Sequence, residues 1–289
     1  MNSAVAIVGV GNMGGAMAAR LLEGGWSVQV FDIDPHKVDL LRQQGAVACA
    51  SAAETVAGCS ALIVCVVDAL QVEEVLFGPQ GAAPAMRPGQ CVLLCPTIAP
   101  QDTMAFARRL RELQVDTIDT PMSGGPARAR DGTMSLMVAC EDSVFEWHRG
   151  LIEALSGKVF RVSQRPGDGA ATKLVNNLLA GINLVGAAEA LALAQRLGLA
   201  LDTTLDVIEQ SSGQSWIATD RMRRAIASDW EPRAHMTLLQ KDTRLAVEAA
   251  LTAGFEGPLG AATRDVFARA SQEGLAQWDD AAVFKLLSR

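Results

Sequence analysis

The sequence has little of what nucleic-acid-binding and metal-binding proteins need. It contains no basic run, and its 32 acidic side chains outnumber its 25 lysines and arginines, which gives a net charge of −7. A chain with this charge is not expected to bind nucleic acid or an acidic membrane surface. Its three histidines are scattered, without cysteine or carboxylate neighbours at metal-ligand spacing, so we predict no metal. An anionic substrate would need a local cluster of hydrogen-bond donors.

Cysteine is sparse and is confined to the N-terminal half of the chain. None of the six cysteines forms a Cys-x-x-Cys pair, and most lie inside apolar runs. We therefore expect buried, reduced thiols, as in a cytoplasmic protein, rather than disulfides or a metal site. The six residues are Cys49, Cys59, Cys65, Cys91, Cys95 and Cys140.

Long apolar runs and targeting signals are also missing from the pattern. The most hydrophobic region, Leu178–Ala194, contains Asn183 and Glu189, so we predict no membrane-spanning segment. The N-terminal Met-Asn-Ser is followed at once by a strand-like run, with neither a basic region nor a cleavage-site pattern. This start predicts no signal peptide. We therefore expect a cytoplasmic protein that does not bind a membrane.

Short β-rich runs alternate with helical patterns in the first half of the chain. This alternation predicts a doubly wound parallel sheet with helices on both faces, a Rossmann-type α/β domain. The predicted strands are Ala4–Val8, Ser27–Phe31, Ala61–Val67, Cys91–Cys95, Val115–Asp119, Thr133–Val138 and Lys158–Val162. The predicted helices are Met13–Glu23, Pro35–Gln43, Leu70–Phe77, Pro100–Leu113 and Val144–Leu155.

The second half of the chain has almost no strand pattern. A polar loop, Gln164–Gly169, predicts a boundary between an α/β domain of residues 1–163 and an all-helical domain of residues 164–289. The long first helix is apolar, which suggests a large interface, so we expect a homodimer or homotetramer. The predicted helices are Ala170–Arg196, Asp202–Gln210, Trp216–Ala227, Leu238–Thr252, Leu259–Glu273 and Asp279–Leu287.

A glycine-rich turn, Gly9-Val10-Gly11-Asn12-Met13-Gly14, follows the first strand and opens a helix. The Gly-x-Gly-x-x-Gly pattern is weak alone, but this context is typical of a dinucleotide site. Gly9 permits a tight turn, Gly11 lets the backbone approach a pyrophosphate, and Gly14 allows close packing of helix on strand. The N–H groups of the helix N-terminus favour the pyrophosphate. A glycine-rich turn without a ligand is the weaker alternative.

Asp32 ends the second predicted strand, close to the roughly 20-residue spacing of a ribose-binding carboxylate. A carboxylate accepts hydrogen bonds from both ribose hydroxyls and repels a 2′-phosphate. Its neighbours Ile33, Asp34 and Pro35 include no arginine. We therefore predict NAD as the cofactor, with NADP disfavoured.

Lys173 is the candidate proton donor for hydride chemistry at a carbonyl. It lies early in the long predicted helix, where burial and the helix N-terminus both disfavour the ammonium form. Asn177 follows one turn later on the same face. Position alone fits a solvent-facing lysine beside an asparagine at least as well.

A second candidate is the substrate turn, Ser123-Gly124-Gly125, which follows a strand and precedes Pro126. Consecutive N–H groups in such a turn suit a carboxylate, and open α/β sheets bind ligands beyond the carboxyl ends of their strands. Arg128 can add a charge-assisted bond. An ordinary tight turn explains the same residues about as well.

Together these segments resemble the β-hydroxyacid dehydrogenase family, which includes 3-hydroxyisobutyrate dehydrogenase, tartronate semialdehyde reductase and threonate dehydrogenases. The resemblance covers essentially the whole chain. It is carried by Ile7–Ala18, by Asp119–Gly125 with Gly132–Ser135, by Gly169–Asn177 and by Gln240–Asp242. It implies a Rossmann domain followed by a helical domain, and a hydride transfer between NAD and the alcohol carbon of a small 3-hydroxy acid.

The resemblance also implies residue roles. Lys173 becomes the general acid/base, Asn177 its partner, and Ser123, Gly124 and Gly125 the holders of the substrate carboxylate. The cofactor-binding residues implied are Gly9, Gly11, Asn12, Met13, Gly14, Asp32, Val67, Thr97 and Lys241.

Several positions depart from the family pattern. Pro96 stands where the family often has serine, and Val67 replaces a frequent proline. Arg128 stands where isobutyrate- and tartronate-type members more often have a small residue. With the segment Ser211–Trp216, Arg128 resembles the four-carbon threonate-type enzymes. We therefore favour a threonate-type substrate that Arg128 helps to bind.

Two alternatives to a hydroxyacid dehydrogenase remain open from the sequence. An imine reductase has the same architecture but lacks the lysine, so Lys173 counts against it. A non-catalytic NAD-binding reader module would not need Lys173, Asn177 and Lys241 together.

Overall fold

The structure is a computed structural model that describes residues 4–289. The chain forms two compact units, one ending at Lys173 and the other beginning at Leu174. The division therefore lies ten residues beyond the predicted boundary after residue 163. It falls inside one continuous helix, Asp168–Arg196, rather than in the polar loop that precedes this helix.

A nine-stranded sheet forms the centre of the first unit. Its strands are β1 (Ala4–Val8), β2 (Val28–Phe31), β3 (Val47–Ala48), β4 (Cys59–Val64), β5 (Cys91–Leu94), β6 (Asp116–Asp119), β7 (Met122–Ser123), β8 (Ser135–Ala139) and β9 (Lys158–Ser163). Their order is β3-β2-β1-β4-β5-β6-β8-β7, and β9 also pairs with β8. The two-residue strands β3 and β7 were not predicted, because they are too short to show a periodic pattern.

The sheet is parallel from β3 through β6, but β8 runs antiparallel to both β6 and β7. The prediction of a parallel sheet is therefore confirmed from β3 through β6, but it did not include the reversed strand β8. The connection from β7 to β8 holds only the short helix Gly125–Asp131, which gives β8 no room for a full crossover. β9 is parallel to β8.

Seven helices accompany the sheet within residues 4–167. They are α1 (Asn12–Glu23), α2 (Pro35–Arg42), α3 (Ala52–Thr55), α4 (Ala69–Phe77), α5 (Pro100–Glu112), α6 (Gly125–Asp131) and α7 (Asp142–Leu155). A 3₁₀ turn covers Ala83–Ala85. The sequence did not predict α3 and α6, since four and seven residues show little helical periodicity.

Alternate residues of β1 pack into two separate hydrophobic cores, one on each face of the sheet. Val5 and Ile7 pack into the core that α1 and α7 cover, whereas Ala6 and Val8 pack into the core beneath α4 and α5. Successive side chains of a strand point to opposite faces, so a strand buried on both sides must be apolar throughout. All six cysteines are free thiols, and four of them are fully buried.

The second unit is helical. The long helix α8 (Asp168–Arg196) is followed by α9 (Leu201–Glu209), α10 (Trp216–Ile226), α11 (Met236–Thr252), α12 (Pro258–Ala270) and α13 (Val283–Leu287). A third core includes Leu184, Leu191, Met222, Met236 and Phe267. Two predicted helices have bounds that differ from those expected. The predicted Leu259–Glu273 helix stops at Ala270 before a turn in which Gly274 has φ +87°, and the last predicted helix begins as a 3₁₀ turn, Asp280–Ala282.

The helix α8 is long and apolar enough to cross a membrane by length and composition alone. The prediction that no apolar stretch is as long as a membrane span is therefore wrong, because α8 has a segment of mean hydropathy 1.5 despite its polar residues. One such helix is weak evidence of a membrane span, since the core helix of a soluble protein can have the same length and composition. One third of the most apolar 18-residue segment of α8 is buried within the structure.

Candidate active site

The glycine-rich turn is shaped by two glycines that a side chain could not replace. Gly9 has φ +86°, in the left-handed region. A Cβ at Gly14 would lie well under 3.0 Å from the carbonyl oxygen of Gly9, so helix and strand approach more closely than alanine allows. A Cβ at Gly11 would meet nothing within 4 Å. The turn therefore leaves open space above Gly11, as the approach of a pyrophosphate requires.

The N-terminus of α1 is prepared for an anion. Gly11 is its N-cap, and no side chain in the described part of the chain caps it with a hydrogen bond. Backbone N–H groups at a helix start need an acceptor, and a pyrophosphate is a suitable one. Asn12 and Met13 are the first residues of this helix. The residues present therefore fit a dinucleotide.

Asp32 already organises the edge of this site. Its Oδ2 accepts a hydrogen bond of 2.7 Å from the backbone N–H of Val10. Its Oδ1 accepts a hydrogen bond of 2.9 Å from the backbone N–H of Asp34. Asp34 in turn caps α2 by accepting from the N–H of His36 at 3.1 Å. Each carboxylate oxygen has a second lone pair, so Asp32 can still accept from ribose hydroxyls.

The other predicted residues of the first unit follow the carboxyl ends of neighbouring parallel strands. Val67 follows β4, Thr97 follows β5, and the substrate turn begins at Ser123 just beyond β6. Because β1, β4, β5 and β6 are consecutive and parallel, these segments leave the sheet at the same edge as the glycine-rich turn. The Val67 N–H donates to Gln71 Oε1 at 2.9 Å, which orders this loop.

The substrate turn needs both of its glycines. Gly124 has φ +136° and Gly125 has φ +75°, values that other residues adopt only with strain. A Cβ on Gly124 would lie 2.9 Å from Cδ of Arg128, so the arginine side chain lies directly against the turn. The turn opens α6, whose N-cap is Gly124. Backbone N–H groups and a guanidinium group thus occur together here.

Lys173 is buried, with 7% of its surface exposed. It lies in the second turn of α8, as the sequence predicted. The start of this helix is held by Asp119, the last residue of β6, whose Oδ2 accepts from the N–H groups of Gly167 at 2.7 Å and Ala170 at 3.1 Å. Burial raises the pKa of Asp119 to about 6, although these N–H donors lower it.

In the second unit, Asn177 and Lys241 are joined by a residue to which no role was assigned. Asn177 Nδ2 donates to Asp242 Oδ2 at 2.6 Å, and Lys241 Nζ lies 2.9 Å from Asp242 Oδ1. Both Asn177 and Asp242 are buried. Asp242 stands in the Gln240–Asp242 motif, but nothing in the sequence indicates that it reaches a residue 65 positions earlier.

A cavity of about 590 Å³ lies at the surface of the first unit, between α5, α7 and the loop before α8. Its lining includes Arg111, Asp142, Ser143 and Arg165, and contains none of the predicted site residues. The cavity is therefore not the site that the motifs identify.

Two family models match almost the entire chain. Residues 4–163 match the NAD-binding domain of 6-phosphogluconate dehydrogenase, and residues 167–287 match the NAD-binding model of NADP-dependent 3-hydroxyisobutyrate dehydrogenase. The L-threonate dehydrogenase of Cupriavidus necator is 36% identical over 99% of this chain and 96% of its own length. The chain belongs to the β-hydroxyacid dehydrogenase family. As a β-hydroxyacid dehydrogenase, it is an NAD-dependent oxidoreductase of small hydroxy acids, which confirms the prediction from its motifs.

Other relatives show how broad this family is. The NAD-dependent L-serine dehydrogenase of Pseudomonas aeruginosa is 32% identical over 98% of this β-hydroxyacid dehydrogenase and 97% of its own length. The crystal structure of a 3-hydroxyisobutyrate dehydrogenase from Salmonella typhimurium superposes with a TM-score of 0.93 at 36% identity, covering 99% of this chain and all of that one. An imine reductase from a Pseudomonas species shares 19% identity at a TM-score of 0.66, which shows a common fold alone.

Proposed function

We propose that the protein oxidises a four-carbon hydroxy acid of the L-threonate type with NAD, and that Lys173 is its general acid/base. The observation that carries this proposal is a buried lysine in the second turn of α8, within the motif Gly169–Asn177. Relatives named L-threonate dehydrogenase from Cupriavidus necator and Escherichia coli, each 36% identical, support the choice of substrate.

In the proposed reaction, the substrate turn binds the carboxylate through Ser123 and the N–H groups of Gly124 and Gly125. Arg128, which lies against Gly124, adds a charge-assisted hydrogen bond. The bound nicotinamide supplies the hydride acceptor. Lys173 takes the hydroxyl proton during oxidation and returns it during reduction. Asn177 orients the substrate hydroxyl or the amine. Gly9–Gly14, Asp32, Val67, Thr97 and Lys241 bind the cofactor.

The role of Lys173 is tested by replacing it with alanine. General acid/base catalysis contributes about 10²- to 10⁴-fold, so we expect kcat to fall by at least 10²-fold while the Kd for NAD stays the same. Stopped-flow absorbance of the reduced nicotinamide gives kcat, and calorimetry gives the Kd. Lys158→Ala, on the exposed strand β9, is the matched control and should keep full activity. Near-normal turnover of Lys173→Ala would show that the role is misassigned.

The substrate is tested with a panel of L-threonate, D-threonate, 3-hydroxyisobutyrate and glycerate, each with NAD and with NADP. We expect the highest kcat/KM for L-threonate with NAD. Arg128→Ala should raise the KM for L-threonate by about 10- to 100-fold, since a lost charge-assisted bond is worth about 1.5–3 kcal/mol. Arg130→Ala is the control, because Arg130 lies on α6 like Arg128 but pairs with Glu23 of α1. Activity confined to 3-hydroxyisobutyrate would refute the threonate assignment.

We also propose a cytoplasmic homodimer or homotetramer in which residues 1–163 are the dinucleotide-binding domain and residues 164–289 are the substrate-binding and dimerisation domain. Six free thiols fit a reducing compartment. The interface proposal rests on an apolar stripe of α8, the exposed side chains Val175, Leu179, Leu193 and Leu197 on α8 and just beyond its end. Apolar side chains aligned on one helix indicate a protein–protein contact.

A further inference from the structure

Asp119 is a buried carboxylate that is bonded to α8, the helix that carries the proposed catalytic lysine. It ends β6 and is only 1% exposed. Its hydrogen-bond partners are backbone N–H groups 48 and 51 residues further along the chain, on Gly167 and Ala170. These two residues flank the start of α8 at Asp168. Asp119 therefore takes the place that an N-cap side chain usually fills from within the helix itself.

The chain is built to admit this carboxylate. A Cβ on Gly169 would lie 2.9 Å from both Cγ and Oδ2 of Asp119, so only glycine allows the first turn of α8 to come this close. Gly167 has φ +104°, which turns its N–H toward the carboxylate. Gly169 thus makes room for the Asp119 carboxylate, and Gly167 donates a hydrogen bond to it.

The same carboxylate is linked to both parts of the proposed site, by its bond to α8 and by its place in the chain before Ser123. Lys173 follows Ala170 by three residues, less than one helical turn. Ser123 follows Asp119 by four residues, through the short strand β7. A carboxylate that holds the first turn of α8 against the end of β6 therefore fixes the position of the lysine relative to the turn that would hold the substrate.

The charge of Asp119 matters to these bonds. Burial raises its pKa to about 6, and the charge of Asp168 on α8 raises it further, whereas the N–H groups of Ala170, Gly167 and Gly169 lower it. The thiols of Cys95, after β5, and Cys140, after β8, are also close enough to interact with its charge. Above about pH 6 Asp119 is ionised, and ionised acceptors form hydrogen bonds about twice as strong as neutral ones.

We propose that Asp119 is a positioning residue of the reaction, which fixes α8 so that Lys173 meets a substrate held by the Ser123–Gly125 turn. The inference rests on the proposed role of Lys173. Because only 1% of Asp119 is exposed, we expect it to act through α8 rather than by touching substrate or cofactor. A misplacement of about 1 Å can cost about 10²-fold in rate, so its effect should appear in turnover rather than in binding.

The test is Asp119→Asn, which keeps an acceptor oxygen but removes the charge. We expect kcat to fall at least tenfold, with the KM for L-threonate and the Kd for NAD within twofold of the wild-type values. Asp142→Asn is the matched control, because that exposed carboxylate binds Gln164, at the other end of the same loop. It should leave kcat unchanged.

A double-mutant cycle separates positioning from general loss of structure. If Asp119 acts through Lys173, adding Asp119→Asn to Lys173→Ala should lower the residual kcat no further. Multiplicative losses would overturn the inference, and so would a wild-type kcat in Asp119→Asn. Full activity of Lys173→Ala would instead refute the proposed function.

If Asp119→Asn does not fold, the wild-type pH profile still decides. Protonation of Asp119 should lower kcat for carbonyl reduction below about pH 6, a direction in which Lys173 acts as an acid and needs its proton. A kcat that stays level from pH 5 to pH 8 would overturn the inference.

Discussion

Two glycines of the cofactor turn serve different physical purposes, although the motif counts them alike. The hydrogen of Gly14 faces the carbonyl oxygen of Gly9, so this glycine is required for folding. The hydrogen of Gly11 faces open space, so this glycine is required only when a ligand is present. The distinction is invisible in the sequence and is immediate in the structure.

Alanine substitutions at Gly14 and Gly11 should therefore separate stability from binding. Gly14→Ala forces helix and strand apart and should lower the free energy of unfolding by about 1–3 kcal/mol, the usual cost of overpacking. Gly11→Ala should leave that free energy within about 0.5 kcal/mol, as at an open surface position. It should nevertheless weaken NAD binding at least tenfold. Urea denaturation and calorimetric titration measure the two quantities, and equal destabilisation by both variants would contradict this reading.

Residue roles were predictable where a motif carried them, as for Lys173 and the substrate turn, and these roles stay predictions until they are tested by mutation. Asp119 and Asp242 were not singled out. Each lies inside a motif, but its function depends on atoms 48 to 65 positions away along the chain. A sequence shows which residues are neighbours in the chain, and long-range hydrogen bonds require the fold.

At the scale of elements, a buried charged cluster ties α10 to the C-terminal turn of the second unit. Arg221 Nε donates to Asp280 Oδ1 at 2.5 Å, and Arg224 Nη2 donates to Asp279 Oδ1 at 2.6 Å. Asp279 also accepts from the N–H groups of Arg233 and Ala281. The helix that begins at Trp216 is therefore anchored by hydrogen bonds of its two arginines as well as by apolar packing.

This cluster should make stability depend on pH. Burial raises the pKa of Asp280 to about 7, against the pull of Arg221. Between about pH 4 and pH 7 the folded protein holds a proton that the unfolded chain has lost, so the stabilisation from this group falls as pH rises. A single proton contributes a slope of at most about 1.4 kcal/mol per pH unit. Asp280→Asn should flatten the unfolding free energy measured in urea over this range.

Asp206→Asn controls for the loss of an ion pair, because Asp206 pairs with Arg223 at the protein surface. It should keep the wild-type slope. An unchanged slope in Asp280→Asn would show that another group titrates.

Elements with many residues were predictable, and short ones were not. The seven predicted strands and eleven predicted helices occur within a few residues of their expected positions, since burial imposes a clear period on long segments. The strands β3 and β7 and the helices α3 and α6 were missed. The sequence also did not predict that β8 runs antiparallel to β6 and β7. The direction of β8 depends on the short segments around it, which show no clear period.

At the scale of the whole molecule, the apolar stripe of α8 carries the prediction of self-association. Leu179 is 58% exposed and Leu193 is 59% exposed, 14 residues apart on one helix. Replacing both with glutamate places two charges where an interface would bury them, and a buried unpaired charge is strongly unfavourable. We expect the variant to sediment as a monomer at micromolar concentration.

Leu70→Glu is the matched control for this variant. Leu70 is 82% exposed, belongs to α4 of the first unit and lies outside the stripe. Its replacement should leave the sedimentation coefficient of the wild type unchanged. A wild-type protein that is monomeric at all concentrations would refute the interface.

The buried cysteines of this protein have thiols that should react slowly with oxidants and alkylating reagents. Burial raises the pKa of Cys59 to about 11 and that of Cys65 to about 12, and it also raises the pKa values of Cys91 and Cys95. Thiols that rarely ionise react slowly with peroxide or maleimide. A fluorescent dye attached through a single cysteine introduced at the surface would therefore report on that position against little background from the buried thiols.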